Sequence, residues 1–124
     1  MRRGLAAYLP GRRVHDVEVR HDRAVRRHEA GAHDFGARLR GRTFTAVHRR
    51  GKYLWLSLDD GAVLLAHLGM SGQMLLPEAG SPSGPHLRVR LSLADSDREL
   101  RFVDQRTFGA LAVQDLATGP DGVP

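Results

Sequence analysis

Between Leu87 and Leu93 every second residue is leucine or valine, with Arg88, Arg90 and Ser92 in the positions between. Strand side chains point alternately to opposite faces, so this alternation describes a strand with one dry face and one wet face. A helix of the same sequence would scatter its apolar residues around the whole circumference. Similar short segments recur along the chain. Lys52–Leu58 places Leu54, Leu56 and Leu58 on one face, Asp59-Asp60-Gly61 is a turn signal, and Ala62–Ala66 reads as the buried partner strand. Thr43–Val47 is rich in β-branched residues, and Gln73–Leu76, Leu100–Val103 and Ala110–Val113 continue the series. From Arg13, the residues Val14, Asp16 and Glu18 interleave with His15, Val17 and Val19, the faintest of these strand patterns.

Helical signals are confined to two places. Arg2–Leu9 is ended by Pro10-Gly11, and Ala32–Leu39 carries Phe35 and Leu39 four apart before Gly41. Residues 23–29 are basic and irregular, and Glu78–Pro85 is a Gly/Ser/Pro loop. The expectation is a mainly β domain, sandwich or barrel-like, with flanking helices. The reading adopted is a two-layer β-sandwich of about eight strands with two short α-helices. Residues 1–115 would form that domain, and residues 116–124 a tail or the start of a linker. A length of 124 residues suits one domain with one hydrophobic core. No cysteine is present, which excludes disulfides, thiolate metal sites and a Cys nucleophile within these residues, and fits a reducing compartment. No apolar run reaches the roughly 18 residues of a membrane span, and the basic N-terminus lacks the apolar stretch of a secretory signal.

The charge is lopsided. Residues 1–58 hold 14 Arg/Lys against 5 Asp/Glu (+9), and residues 59–124 hold 5 against 9 (−4), which together give the net +5. Lys52 is the single lysine, and 18 of the 19 basic residues are Arg. Arg offers a planar, bidentate grip on phosphate, so the basic half suggests a polyanion partner; a solvated Arg-rich surface is the plainer alternative.

Four segments could carry chemistry. His67-Leu68-Gly69-Met70-Ser71-Gly72 follows a buried strand, and its glycines imply a tight turn with Met70 at the tip. Methionine usually fills core gaps, but apolar wedges also enter base stacks in DNA-bending proteins. Asp104-Gln105-Arg106-Thr107-Phe108-Gly109 sets Arg106 and Phe108 two apart, on one side of an extended chain. Cation and ring together could replace a base pair's hydrogen bonding and stacking; the alternative is an Asp104–Arg106 ion pair with Phe108 in the core. Arg49-Arg50-Gly51-Lys52-Tyr53 puts Lys52 where it could move a proton or contact phosphate. His86, after the flexible loop, could donate to phosphate or serve structure alone.

In order, Arg2-Arg3-Gly4-Leu5, Arg49–Leu54, the His67–Gly72 loop, Pro85-His86 and Asp104–Gly109 resemble the N-terminal domain of bacterial formamidopyrimidine-DNA glycosylases, nearest to the actinobacterial forms. The resemblance spans nearly the whole chain. It implies a base-excision repair enzyme that flips an oxidised purine out of duplex DNA, cleaves its glycosidic bond through a Schiff base and nicks the strand by elimination. It implies Met70, Arg106 and Phe108 as the wedge filling the vacated space, with Arg106 facing the orphaned base. Lys52 matches the proton donor for β-elimination and a phosphate contact, His86 and Arg106 match DNA-binding positions, and His67 supports the phosphate grip. The implied partner is double-stranded DNA with an oxidised base, bound by a monomer in the bacterial cytoplasm, at the nucleoid. No cofactor is implied for this chain, because the family's zinc belongs to a C-terminal domain beyond these residues.

Two departures stand out. The family opens with Pro-Glu-Leu-Pro-Glu, whose proline is the amine nucleophile and whose first Glu is the acid/base; this chain opens Met1-Arg2-Arg3. A GTG valine codon read as a start would produce that opening, and so would a truncated, catalytically dead DNA- or lesion-binding module. The chain as written is expected not to complete catalysis. Thr107 stands where many family members carry a second Arg.

Overall fold

The computed structural model describes residues 2–106 and 108–115, with the side chains of Arg2 and Arg3 excepted. The expectations placed on Met1, Thr107 and the 116–124 tail lie outside the described residues. Eight strands form two antiparallel four-stranded sheets, flanked by two α-helices. They run in chain order as α1 (Arg2–Tyr8), β1 (Val14–Val19), α2 (Gly31–Leu39), β2 (Phe44–Arg50), β3 (Tyr53–Leu58), β4 (Ala62–His67), β5 (Gly72–Leu75), β6 (Leu87–Leu93), β7 (Glu99–Asp104) and β8 (Ala110–Asp115). One sheet has the order β1-β6-β7-β5 and the other β2-β3-β4-β8.

The core follows from alternation. Leu87, Val89, Leu91 and Leu93 are all buried, while Arg88, Arg90 and Ser92 are half-buried on the other face of β6. Leu54, Leu56 and Leu58 enter the same core from β3, and Trp55 is covered on the opposite face, where its ring stacks on His48 at 5.6 Å. Leu5 and Leu9, four apart at the start of the chain, close one side of the core, and Phe35 and Leu39 of α2 close another.

Strict alternation misplaces two strands. In β1 the buried residues are Val14 and Val17, three apart, because the pairing with β6 slips between Val14 and Asp16. In β2 they are Phe44 and Val47, with the same slip between Phe44 and Ala46. A bulge inserts one residue and turns the rest of the strand over, so both inward side chains are recovered at the cost of the period. The basic stretch after β1 also carries more order than its composition suggests: Asp22–Val25 is a 3₁₀ turn that buries Ala24 and Val25. Close behind it, the buried His28 accepts the Val113 N–H at Nδ1 (3.2 Å) and meets Asp34 at Nε2 (2.7 Å), tying the turn, α2 and β8 together.

Candidate nucleic-acid interface

The connectivity brings two of the candidate segments to one end of the sandwich. β4 lies in one sheet and β5 in the other, so the chain must cross between the layers at residues 68–71. β7 and β8 likewise lie in opposite sheets, and residues 105–109 cross back. Because β4 pairs with β8 and β5 with β7, the two crossings run side by side: His67 sits opposite Ala110, and Gly72 opposite Asp104.

They touch backbone to backbone. A Cβ added to Gly109 would stand 2.4 Å from the His67 carbonyl oxygen and 3.0 Å from that of Leu68. A Cβ added to Gly69, whose φ is +63°, would stand 3.1 Å from the Gly109 nitrogen. Only glycine leaves room for this approach. The wholly buried Asp104 carboxylate joins the loops from inside, accepting from Ser71 Oγ at 2.5 Å, from the Arg106 N–H at 3.2 Å and from the Gly109 N–H at 2.8 Å.

This scaffold points apolar side chains outward. Among the described residues the exposed large hydrophobics are Met70 (76%), Phe108 (48%) and Tyr53 (42%). The first two stand on the converging loops. Phe108 is therefore not a core residue, and Asp104 takes the Arg106 backbone rather than its guanidinium, which lies 5.9 Å from the centroid of the Phe108 ring. The Nζ of Lys52 reaches to 3.8 Å from Met70 Sδ, which puts a cation beside the apolar tip.

His67 ends β4, its ring 4.8 Å from that of Tyr53. Its Nδ1 is sealed from solvent with no hydrogen-bond partner among the described residues. Burial lowers the His67 pKa from the ordinary histidine value, and the positive charges of Arg27, Lys52 and Arg26 lower it further. The folded chain thus binds fewer protons at His67 than the unfolded chain, so this contribution to stability is present above the ordinary histidine pKa and is lost as pH falls through the depressed one. Urea unfolding at pH 7.5 and 5.0 is expected to show a loss of stability on acidification that is smaller in His67→Gln. Equal losses in the two proteins would remove His67 as a cause.

His86 is half-buried and precedes β6. Its carbonyl accepts the Asp104 N–H at 3.1 Å, which ties it to the start of the 105–109 crossing. The loop before it is less free than its composition suggests. The buried Arg101 pairs with the buried Glu99 at 2.6 Å and donates to the carbonyls of Ser81 (2.7 Å) and Pro82 (3.1 Å). Met70, Arg106, Phe108, Lys52 and His67 are thus linked through the two crossings, and His86 joins them through the backbone. Sequence reasoning missed Ser71 as a partner of Asp104, because nothing local relates residues 33 positions apart. Among the described residues, no group of three His, Asp or Glu side chains is placed to hold a metal ion.

Comparison with known proteins bears on the family and the fold. The chain is 62% identical over 116 residues to a formamidopyrimidine-DNA glycosylase of Acidothermus cellulolyticus and 56% identical over 127 residues to that of Streptomyces avermitilis. Those alignments take in 94% and 100% of this chain but 41% and 43% of the relatives, so the chain spans about two fifths of the length of the curated relatives it matches. The crystal structure of the Lactococcus lactis enzyme in complex with a FAPY-dG-containing DNA superposes with a TM-score of 0.82 at 29% identity, covering 91% of this chain and 41% of that one. A complex of the same enzyme with abasic-site DNA gives 0.81 at 29% identity, over 90% and 40% of the two chains. The profile described as the formamidopyrimidine-DNA glycosylase N-terminal domain matches residues 1–111, and the chain belongs to that family.

Proposed function

We propose that this chain is the duplex-opening half of a DNA glycosylase/AP lyase that excises oxidised purines in base excision repair. One observation carries the reading: two loops locked backbone to backbone hold Met70 and Phe108 in solvent, with the Arg106 guanidinium over the Phe108 ring. Exposed apolar groups on a rigid mount suit insertion into a base stack, where each side chain offsets part of the few kcal/mol that unstacking costs. Arg106 then offers its guanidinium donors to the base left without a partner. Lys52 and His86 contact flanking phosphates, His67 supports that grip, and Lys52 supplies the proton in strand elimination. The partner is double-stranded DNA carrying an oxidised base, met by a single copy of the chain in the bacterial cytoplasm.

The proline amine assigned by family resemblance to imine formation is not among these 124 residues. A polypeptide of these 124 residues alone is expected to give no covalent adduct on borohydride trapping with an oxidised-guanine duplex. An adduct would overturn the assignment of the imine to that proline.

The decisive test is fluorescence anisotropy with three DNA probes: an intact duplex, the same duplex with one abasic gap, and the single strand. The gapped duplex is expected to bind about tenfold tighter than the intact one, since a pre-formed hole removes the unstacking cost. The logarithm of affinity is expected to fall linearly with the logarithm of salt concentration, with a slope of roughly −2 to −4 as a few phosphates release their counterions. Equal affinity for gapped and intact duplex would overturn the wedge, and salt-insensitive binding would overturn the DNA reading.

A further inference from the structure

The 105–109 crossing is held from outside as well as from inside. Arg26 lies just after the 3₁₀ turn, more than eighty residues away in sequence. Its guanidinium donates from Nη2 to the Phe108 carbonyl (2.9 Å) and from Nη1 to the Gly109 carbonyl (3.0 Å). Nη1 also donates to the Arg23 carbonyl at 2.9 Å, which anchors the side chain to its own turn. At the other end of the crossing, Arg88 of β6 donates from Nε to the Asp104 carbonyl (2.9 Å) and from Nη2 to the Gln105 carbonyl (3.4 Å).

We propose that Arg26 and Arg88 are positioning residues that bracket the wedge loop and preset Arg106 and Phe108 before DNA arrives. The proposal rests on the wedge reading above. Its physical basis is that a loop entering a base stack must be ordered, and ordering it in advance removes that entropy cost from the binding step. Arg is suited to this because its planar fork reaches two successive carbonyls at once, which an ammonium cannot do in one fixed geometry. Asp104 accepts from the Arg106 and Gly109 N–H groups, and the two arginines donate to the Asp104, Gln105, Phe108 and Gly109 carbonyls, so the crossing is held at both of its ends.

The test uses the whole chain carrying Arg26→Gln, Arg26→Lys or Arg88→Gln, with Arg23→Gln as a control that removes a charge one turn away. The first readout is amide hydrogen exchange in the free protein. The Gly109 and Arg106 amides are expected to exchange about tenfold faster in the Arg26 and Arg88 variants, with the Leu56 and Leu64 amides unchanged. The second is the ratio of affinities for gapped and intact duplex. It is expected to fall about fivefold in Arg26→Gln and Arg26→Lys, and to hold in Arg23→Gln. Unaltered exchange at Gly109 and Arg106 would overturn the bracket, as would an equal loss on both duplexes, which marks a simple phosphate contact. A wild-type chain with no preference for the gap would sink the wedge reading instead, and the exchange readout would still decide whether the arginines hold the loop.

Discussion

Gly109→Ala is expected to cost the folded chain about 3 kcal/mol, near the top of the range for overpacking a closed site. The new methyl would stand 2.4 Å from the His67 carbonyl oxygen and 3.0 Å from both the Leu68 carbonyl oxygen and the Phe102 ring. Two of those three neighbours are main-chain atoms, which cannot rotate aside as a side-chain tip can. Relief requires the two crossings to separate, and separation pulls the Gly109 N–H away from the buried Asp104 carboxylate. Chemical denaturation of the two proteins side by side measures the cost. A loss below about 0.5 kcal/mol, the ordinary scatter of surface substitutions, would mean that the loops do not approach as closely as described. The same separation would move Phe108 relative to Met70, so any Gly109→Ala protein that folds is expected to lose its preference for gapped DNA.

Phe108→Ala works the other way, with little effect on folding and a large effect on binding. The ring is 48% exposed, so truncation opens no closed cavity in the core. In a duplex it would forfeit stacking worth about 1–3 kcal/mol, or roughly a 5- to 150-fold loss of affinity for the gapped duplex. Loss on the single strand is expected to be smaller, because a flexible strand has no defined hole to fill. Anisotropy titrations of gapped duplex and single strand at one salt concentration read both. Similar losses on the two would mean that Phe108 acts through packing alone. Met70 is 76% exposed and shares the same end of the sandwich, so Met70→Ala is expected to follow the same pattern.

The 105–109 crossing is the part of the molecule on which both results depend. It is short and exposes two side chains of the proposed wedge, yet three separate parts of the fold hold it: β4 and the loop after it through glycine contacts and through Ser71 on Asp104, the 3₁₀ turn through Arg26, and β6 through Arg88. A loop chosen for catalysis or binding tends to be mobile. Here main-chain groups at both ends of the crossing are hydrogen-bonded while the Arg106 and Phe108 side chains stay exposed, a division that suits the proposed wedge, since a mount must not yield when its tip enters a stack.

Sequence by itself determined the strands, the helices and the candidate residues, because each rests on local information. Leu87 to Leu93 alternates, Phe35 and Leu39 sit one helical turn apart, and Asp59-Asp60-Gly61 closes a hairpin between neighbours. Met70 and Phe108 were legible as candidates because large apolar residues among turn residues are out of place in a loop. Local pattern did not bring these two residues to one end of the sandwich; the family resemblance implied it, and the tertiary structure places them there. That depends on β4 pairing with β8 and β5 with β7, and the periodicity of a strand says which face is dry without saying which strand lies beside it. The bulges in β1 and β2 were hidden for the same reason, since an extra residue becomes visible only against the partner's register. Asp104, Arg26 and Arg88 act on main-chain atoms, and those look alike at every position of a sequence until the fold brings particular ones within reach.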